Sequence, residues 1–277
     1  MKTLPRKPSF LFLFFLLLIF VFSGCKQRGT HSSADSLQKE IQVKESIQKQ
    51  VEEFIYPLPT TYEVVQMLQD IGIPYIIGIS NPTEEASHYL TAKSQAYNIG
   101  VYSADLSYAS VYNMQQDVML YLETVKKLGD DLGLTAVYNE DLFNAIEQNL
   151  NNKDTLVNLL SGALFDSYNQ LNQNGKGSLS HLMVAGGWIE ALFITTHVSA
   201  TAYNNYELVK IIFEQKSSLN KLLDIINEKR QNKDIAELIA WLQPLKKVYD
   251  TINGSMTEDQ INQVATIVEE LRNKLVQ

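Results

Sequence analysis

Apolar side chains recur at the period of an α-helix along most of this chain, and this pattern limits the fold more than any other feature. From Leu156 to Leu171, from Leu208 to Ile226 and from Ile261 to Leu275 they follow the i, i+3, i+4, i+7 spacing of one helix face. The one stretch that could be extended, Ile73 to Ile79, has no partner strand, and we expect a short buried turn or helix there. The sequence therefore predicts an all-α bundle of about eight or nine helices.

Two segments share an order of features that could reflect duplication. Residues 96–128 and residues 185–226 each run from a stretch of small residues with glycine into a long amphipathic helix. One interpretation is a pair of related helical-hairpin units, and the alternative is a coincidence of composition, because two copies are fewer than a solenoid needs. We expect a single α-helical domain over residues 36–277, which could divide into halves at 36–152 and 153–277.

The N-terminus has the features of a secretory signal peptide. Basic residues precede an apolar run from Phe10 to Phe22, and Ser23, Gly24 and Cys25 follow it. The run is shorter than the roughly 20 residues that a membrane-spanning helix needs. Small residues followed by cysteine resemble the lipobox of bacterial, Bacteroidetes-type lipoproteins. That resemblance implies that signal peptidase II removes residues 1–24 and that the thiol of Cys25 carries lipid.

A lipidated Cys25 would place the protein at a membrane. Two or more acyl chains such as palmitate anchor stably in a bilayer, and residues 25–35 would form a flexible tether with a reach of roughly 17 Å. In Bacteroidetes-type lipoproteins, an acidic cluster just after the cysteine resembles a surface-export signal. In this chain the residues just after Cys25 are basic and neutral instead. We therefore expect a lipoprotein of the outer membrane that faces the periplasm, with surface exposure as the alternative.

Charge and motifs exclude several classes of function. The net charge of the chain is −8, and the signal peptide contains basic residues but no acidic ones, so the mature chain is still more acidic. Nucleic-acid binding needs a concentrated positive field, and we expect no nucleic-acid partner. The sequence has no HExxH, GxSxG, Walker or GxGxxG motif. It predicts no catalytic residue, metal site or cofactor, and an enzyme is a distant third hypothesis.

Two carboxylates lie in apolar, small-residue segments, Asp105 beside Tyr102 and Tyr108, and Glu190 beside Trp188. A buried carboxylate must be paired, hydrogen-bonded or neutralised. The functional interpretation is a polar pocket formed by these five residues between two helices, where a small ligand or glycan would bind. The alternative is a structural polar network that fixes the register of the helices.

Small residues recur every four positions at Ala92, Ala96, Gly100 and Ala104, which predicts a helix face that another backbone can approach closely within the core. The segments GVYSADLSY, from Gly100, and GGWIEALFITT, from Gly186, resemble an uncharacterised family of helical lipoproteins from Bacteroidetes, over about residues 60–230. The resemblance implies a helical body and a lipid anchor, but no activity.

These features predict a lipid-anchored helical protein of the cell envelope. Its partners would be the lipid bilayer, through Cys25, and an envelope protein or glycan that the helical body binds or scaffolds. A ligand-binding or glycan-binding module that uses Asp105 and Glu190 is the main alternative.

Overall fold

A computed structural model describes residues 61–198 and 204–277, so the signal peptide, Cys25 and the tether lie outside the described residues. The described residues form nine α-helices and one 3-10 helix, and they contain no strand. The α-helices are α1 (Thr61–Asp70), α2 (Ala92–Val111), α3 (Gln115–Leu132), α4 (Glu140–Gln148), α5 (Lys153–Gln173), α6 (Gly177–His197), α7 (Tyr206–Asn227), α8 (Lys233–Thr251) and α9 (Glu258–Val276). The 3-10 helix, Thr83–His88, lies between α1 and α2. The all-α multi-helix prediction is confirmed.

Side-chain caps begin most of these helices. Thr257 accepts a hydrogen bond from the amide of Gln260, and the Gln260 side chain accepts one from the amide of Thr257, which is the reciprocal pattern of a capping box. Helix α5 begins after Asn152, whose side-chain oxygen accepts from the amide of Thr155. Such caps stabilise a helix by about 1 kcal/mol each.

Helices α2 and α6 form the centre of the bundle, and their backbones touch. A Cβ atom at Gly100 would overlap the carbonyl oxygen of Met183, and one at Gly186 would overlap that of Tyr97. Only glycine permits this approach, so the close contact predicted from the small-residue spacing is present. Two pairs of neighbouring residues give the relative direction of these helices: Tyr97 lies opposite Gly186, and Asp105 lies near Glu190. The second pair is farther toward the C-terminal end of both helices, so α2 and α6 run in the same direction.

Helix α6 is buried on nearly every side. Within the described residues it is the one helix that is long and apolar enough to cross a membrane. However, 72% of that stretch is buried inside the protein, as in the core helix of a globular domain. Its hydrophobicity is explained by its contacts with α2, α5, α7 and α9, because a helix that is surrounded by others needs no polar face.

The two segments with the same order of features lie in one hydrophobic core. Each begins with a small-residue helix, α2 or α6, and continues into an amphipathic one, α3 or α7. The core extends from Val64 to Leu275, and α2 of residues 36–152 packs along α6 of residues 153–277. The two halves considered from the sequence therefore share a core, and their duplication stays a prediction.

The connection between α1 and the 3-10 helix, residues 71–82, is here called the strap. It contains turns but no helix; Ile73, Ile76 and Ile79 are half-buried against the core, whereas Ile77 is 88% exposed, so the expectation of a buried turn or helix at Ile73–Ile79 is met by the turn and only in part by the burial. Tyrosine hydroxyls bind its backbone instead: that of Tyr112 donates to the carbonyl of Ile73, and that of Tyr108 accepts from the amide of Ile76. These bonds satisfy irregular backbone without a helix or sheet.

Candidate functional site

Asp105, Glu190 and Arg272 form the acid cluster, in the centre of the bundle. Asp105 lies on α2, Glu190 on α6 and Arg272 on α9; both carboxyl side chains are fully buried, at 0% exposure. The guanidinium of Arg272 donates from Nε to Oε2 of Glu190 over 2.8 Å and from Nη2 to Oε1 over 3.0 Å. This two-bond geometry is the strongest form of a charged hydrogen bond between protein side chains.

Arg272 enters the core past an aromatic ring. Its guanidinium carbon lies 4.3 Å from the centre of the Phe193 ring, one turn beyond Glu190 on α6, and its side chain is 12% exposed. The ring of His197 also stacks on that of Phe193, with 4.2 Å between the ring centres. The apolar and aromatic surroundings keep water from the Arg272–Glu190 pair, and this strengthens the attraction between the two charges.

Asp105 has a different set of partners. Its Oδ2 accepts from the backbone amide of Asn81 in the strap over 3.1 Å; the Ser80 hydroxyl also lies near the carboxyl, but Oδ1 accepts no hydrogen bond of normal geometry from the described residues. Burial raises the pKa of Asp105 well above its usual range, and the nearby Glu190 carboxylate raises it further, while Arg272 lowers it. Burial also raises the pKa of Glu190, but the charge and hydrogen bonds of Arg272 oppose that effect.

Of the five predicted pocket residues, three lie together. Tyr102 is one turn before Asp105 on α2, and its hydroxyl donates to the carbonyl of Pro82, at the end of the strap, over 2.7 Å. Burial raises the pKa of Tyr102, and the charge of Asp105 adds to the rise. Asp105, Glu190 and Tyr102 therefore form one neighbourhood, as expected for residues of a shared site.

The other two predicted residues lie elsewhere. Tyr108 stacks on Tyr75 at 4.7 Å between ring centres and binds the strap, and Trp188 points to α7, where its Nε1 donates to Gln215 over 3.2 Å. Trp188 and Glu190 are two residues apart, about 200° around a helix, so they face opposite sides. The predicted pocket is also closed, because Asp105, Glu190 and Tyr102 are all at 0% exposure.

Three residues of the site were missed from the sequence: Arg272, Asn81 and Tyr89. Tyr89 receives a hydrogen bond from the Asn81 side chain over 3.0 Å, and its own hydroxyl donates to the carbonyl of Val276 over 3.2 Å. The signal for Arg272 is its position, four residues after Val268 and three before Leu275, on the buried face of α9. A charge at such a position predicts a buried partner.

The same region fixes the C-terminal end of α9. Asn98 on α2 donates from Nδ2 to the carbonyl of Leu275 over 2.7 Å, and Tyr89 reaches the carbonyl of Val276. The last carbonyls of a helix have no partner within it, so these bonds satisfy groups that would otherwise need water. Together with Arg272 they attach α9 to α2 and α6, so the acid cluster is a structural network that joins three helices and the strap.

In the described parts of the chain, no group of three or more His, Cys, Asp or Glu side chains is placed to hold a metal ion. His197 is near one acidic side chain, with Nε2 at 4.0 Å from Oε2 of Glu269. No family model, curated protein or solved structure matches this chain. The resemblance to helical lipoproteins therefore stays a prediction.

Proposed function

We propose that this chain is a lipoprotein of the cell envelope, anchored by acylated Cys25 in the outer membrane and facing the periplasm, whose helical body binds or scaffolds an envelope protein or glycan. The observation that carries the proposal is the sequence from Phe10 to Cys25, a short apolar run followed by small residues and the only cysteine of the chain. The all-α body contributes a stable domain for such an anchor to hold at the membrane.

The placement of apolar side chains supports binding at the surface over binding in a pocket. The two most exposed large apolar side chains of the described residues are Ile77, at 88%, and Leu90, at 83%; Ile77 lies in the strap and Leu90 just after the 3-10 helix. Asp105 and Glu190, in contrast, are closed to solvent. The small-ligand or glycan site around these two carboxylates therefore remains the alternative proposal, and it requires the strap to move.

The anchor is tested by metabolic labelling of growing cells with a palmitate analogue, using the wild-type chain and the Cys25→Ala variant. We expect label in the wild type and none in the variant, which should also leave the membrane fraction. The matched control is Ser23→Ala, which keeps a small residue before the cysteine and should still be labelled. Equal labelling of wild type and Cys25→Ala would overturn the anchoring proposal.

The choice between a surface and a pocket is tested by thermal shift of the full chain in detergent against a panel of glycans and small polar ligands. If the surface proposal holds, no compound raises the melting temperature of the wild type more than that of Asp105→Asn. A compound that stabilises the wild type and loses its effect in Asp105→Asn and Glu190→Gln would favour the pocket.

A further inference from the structure

The acid cluster contains more potential negative charge than positive charge. Two carboxyl groups, Asp105 and Glu190, meet a single guanidinium, that of Arg272, and both carboxyl side chains are fully buried. If both were ionised, one negative charge would remain uncompensated inside the protein, where charges are far more costly than in water. A bound proton removes this imbalance most simply.

The hydrogen bonds show which of the two carboxyls would carry the proton. Both oxygens of Glu190 accept from Arg272, so this group is held as a carboxylate. Asp105 accepts one bond from the amide of Asn81, and its Oδ1, although the Ser80 hydroxyl lies nearby, makes no hydrogen bond of normal geometry with the described residues. Such an oxygen can instead carry a proton, and the neighbouring carboxylate of Glu190 is the natural acceptor for it.

Every element that packs against Asp105 contributes groups to this balance. The titratable and charged groups that interact with it are Tyr102 on α2, Tyr121 on α3, Glu190 on α6 and Arg272 on α9, and Tyr89, after the 3-10 helix, interacts in turn with Tyr102 and Arg272. Burial raises the pKa of Tyr121 to about 12 and that of the other two tyrosines as well, so all three are neutral at physiological pH. Arg272 is therefore the single cation of this set.

We propose that Asp105 is a neutral acid that donates its proton to Glu190, and that the resulting cluster is a pH-sensitive latch that closes the strap and α9 onto α2 and α6. The proton forms the bond that joins the two carboxyls. When Asp105 loses it, two carboxylates repel each other inside the core, and the cluster is relieved by admitting water at the strap. The amide of Asn81, which binds Asp105 directly, lies where that opening begins.

The test compares two isosteric variants of the full chain in detergent, Asp105→Asn and Glu190→Gln. An amide resembles a protonated acid but cannot ionise, so Asp105→Asn should be as stable as the wild type at about pH 4 and at least as stable at neutral pH. Glu190→Gln removes the hydrogen-bonded charge partner of Arg272 and should lower the melting temperature. Hydrogen exchange of the strap should accelerate with rising pH more in the wild type than in Asp105→Asn, because only the wild type can ionise Asp105. The intrinsic acceleration of amide exchange with pH is the same in both proteins and cancels in the comparison.

A loss of stability in Asp105→Asn as large as that in Glu190→Gln, or equal pH dependence of strap exchange in wild type and Asp105→Asn, would overturn the proposal. A direct reading on the wild type covers the case in which a variant does not fold. The carboxyl carbon of Asp105 in a ¹³C spectrum at neutral pH should have the chemical shift of a protonated acid. The shift of a carboxylate at that pH would contradict a neutral Asp105.

Discussion

Arg272 on the last helix holds Glu190 on α6 with two hydrogen bonds, Nε to Oε2 at 2.8 Å and Nη2 to Oε1 at 3.0 Å. The two residues are 82 positions apart in the chain, and their pairing fixes α9 against the central helices. Because the Glu190 side chain is fully buried, removing Arg272 leaves the Glu190 carboxylate without the cation that pairs with it. The buried Glu190 carboxylate therefore requires Arg272 in the folded state, whatever the net contribution of the ion pair to the free energy of unfolding.

Replacing Arg272 with Met is expected to lower the free energy of unfolding by about 3–5 kcal/mol, the usual cost of leaving one member of a buried ion pair unpaired. The double variant Arg272→Met with Glu190→Gln should cost less than the sum of the single changes, since each change removes the same interaction. Urea unfolding of the wild type, the two single variants and the double variant measures this coupling. The exposed pair Lys126–Asp130 is the matched control, where Lys126→Met should cost about 0.5 kcal/mol or less.

Additive effects of the Arg272 and Glu190 changes would contradict the coupling. A cost at Lys126 as large as that at Arg272 would show that the measured loss comes from surface charge in general.

Adding a methyl group at Gly100 tests the contact between α2 and α6. Its Cβ would overlap the backbone carbonyl of Met183, which cannot move aside as a flexible side chain can, so Gly100→Ala should lower stability by about 1–3 kcal/mol. Gly162 on α5 is the matched control, because a Cβ there meets nothing within 4 Å. Gly162→Ala should raise stability by up to about 1 kcal/mol, as alanine is the better helix former.

Thermal or urea unfolding of both glycine variants gives the comparison. Changes of opposite sign are expected, and a Gly100→Ala variant as stable as Gly162→Ala would mean that α2 and α6 do not touch at this point.

The raised pKa of Asp105 predicts the direction of a pH effect on stability. A carboxyl whose pKa is higher in the folded state contributes its full stability below its usual value of about 4, and that contribution is lost as pH rises toward the folded pKa. Glu190 shifts in the same direction, whereas Lys126 lowers the pKa of Asp130 and gives the opposite slope. The difference in free energy of unfolding between wild type and Asp105→Asn isolates the contribution of Asp105 from those of Glu190 and Asp130.

Urea unfolding from about pH 4 upward should show the wild type losing stability relative to Asp105→Asn. A difference that stays constant over this range, or grows in favour of the wild type, would rule out a raised pKa at Asp105.

The strap depends on tyrosine hydroxyls, and removing one should weaken it locally. Tyr102→Phe leaves the carbonyl of Pro82 without its bond and should cost about 1 kcal/mol, with faster hydrogen exchange in residues 71–82. Tyr206 is the control, because it is 77% exposed at the start of α7, and Tyr206→Phe should change neither quantity. Unchanged exchange in the strap of Tyr102→Phe would contradict the role assigned to this hydroxyl.

The helical bundle could be predicted because periodic apolar residues report directly on buried helix faces. The pairing of Asp105 with Glu190 could be anticipated since both carboxylates interrupt small-residue helices that had to pack somewhere. Arg272 could not be assigned as their partner, because which distant helix reaches the cluster depends on the tertiary arrangement. The placement of Trp188 in the pocket is wrong because it rested on nearness to Glu190 in sequence. Residues two positions apart lie on opposite sides of a helix, so Trp188 faces away from Glu190 on α6.

The strap was misjudged for a related reason. Its isoleucines suggested burial, and Ile73, Ile76 and Ile79 do pack against the core, but hydroxyls from Tyr108 and Tyr112 hold its backbone and Ile77 faces solvent. Hydrogen bonds from distant side chains to irregular backbone carry no periodic signal, so the sequence alone predicts them poorly.

The measurement that tests the central claim most directly is mass spectrometry of the N-terminus of the protein purified from cell membranes. The account predicts that the mature chain begins at Cys25 and that this residue carries a diacylglyceryl group together with the mass of its acyl chains. A mature chain that begins at Met1, or one that contains Cys25 with a free thiol, would contradict it.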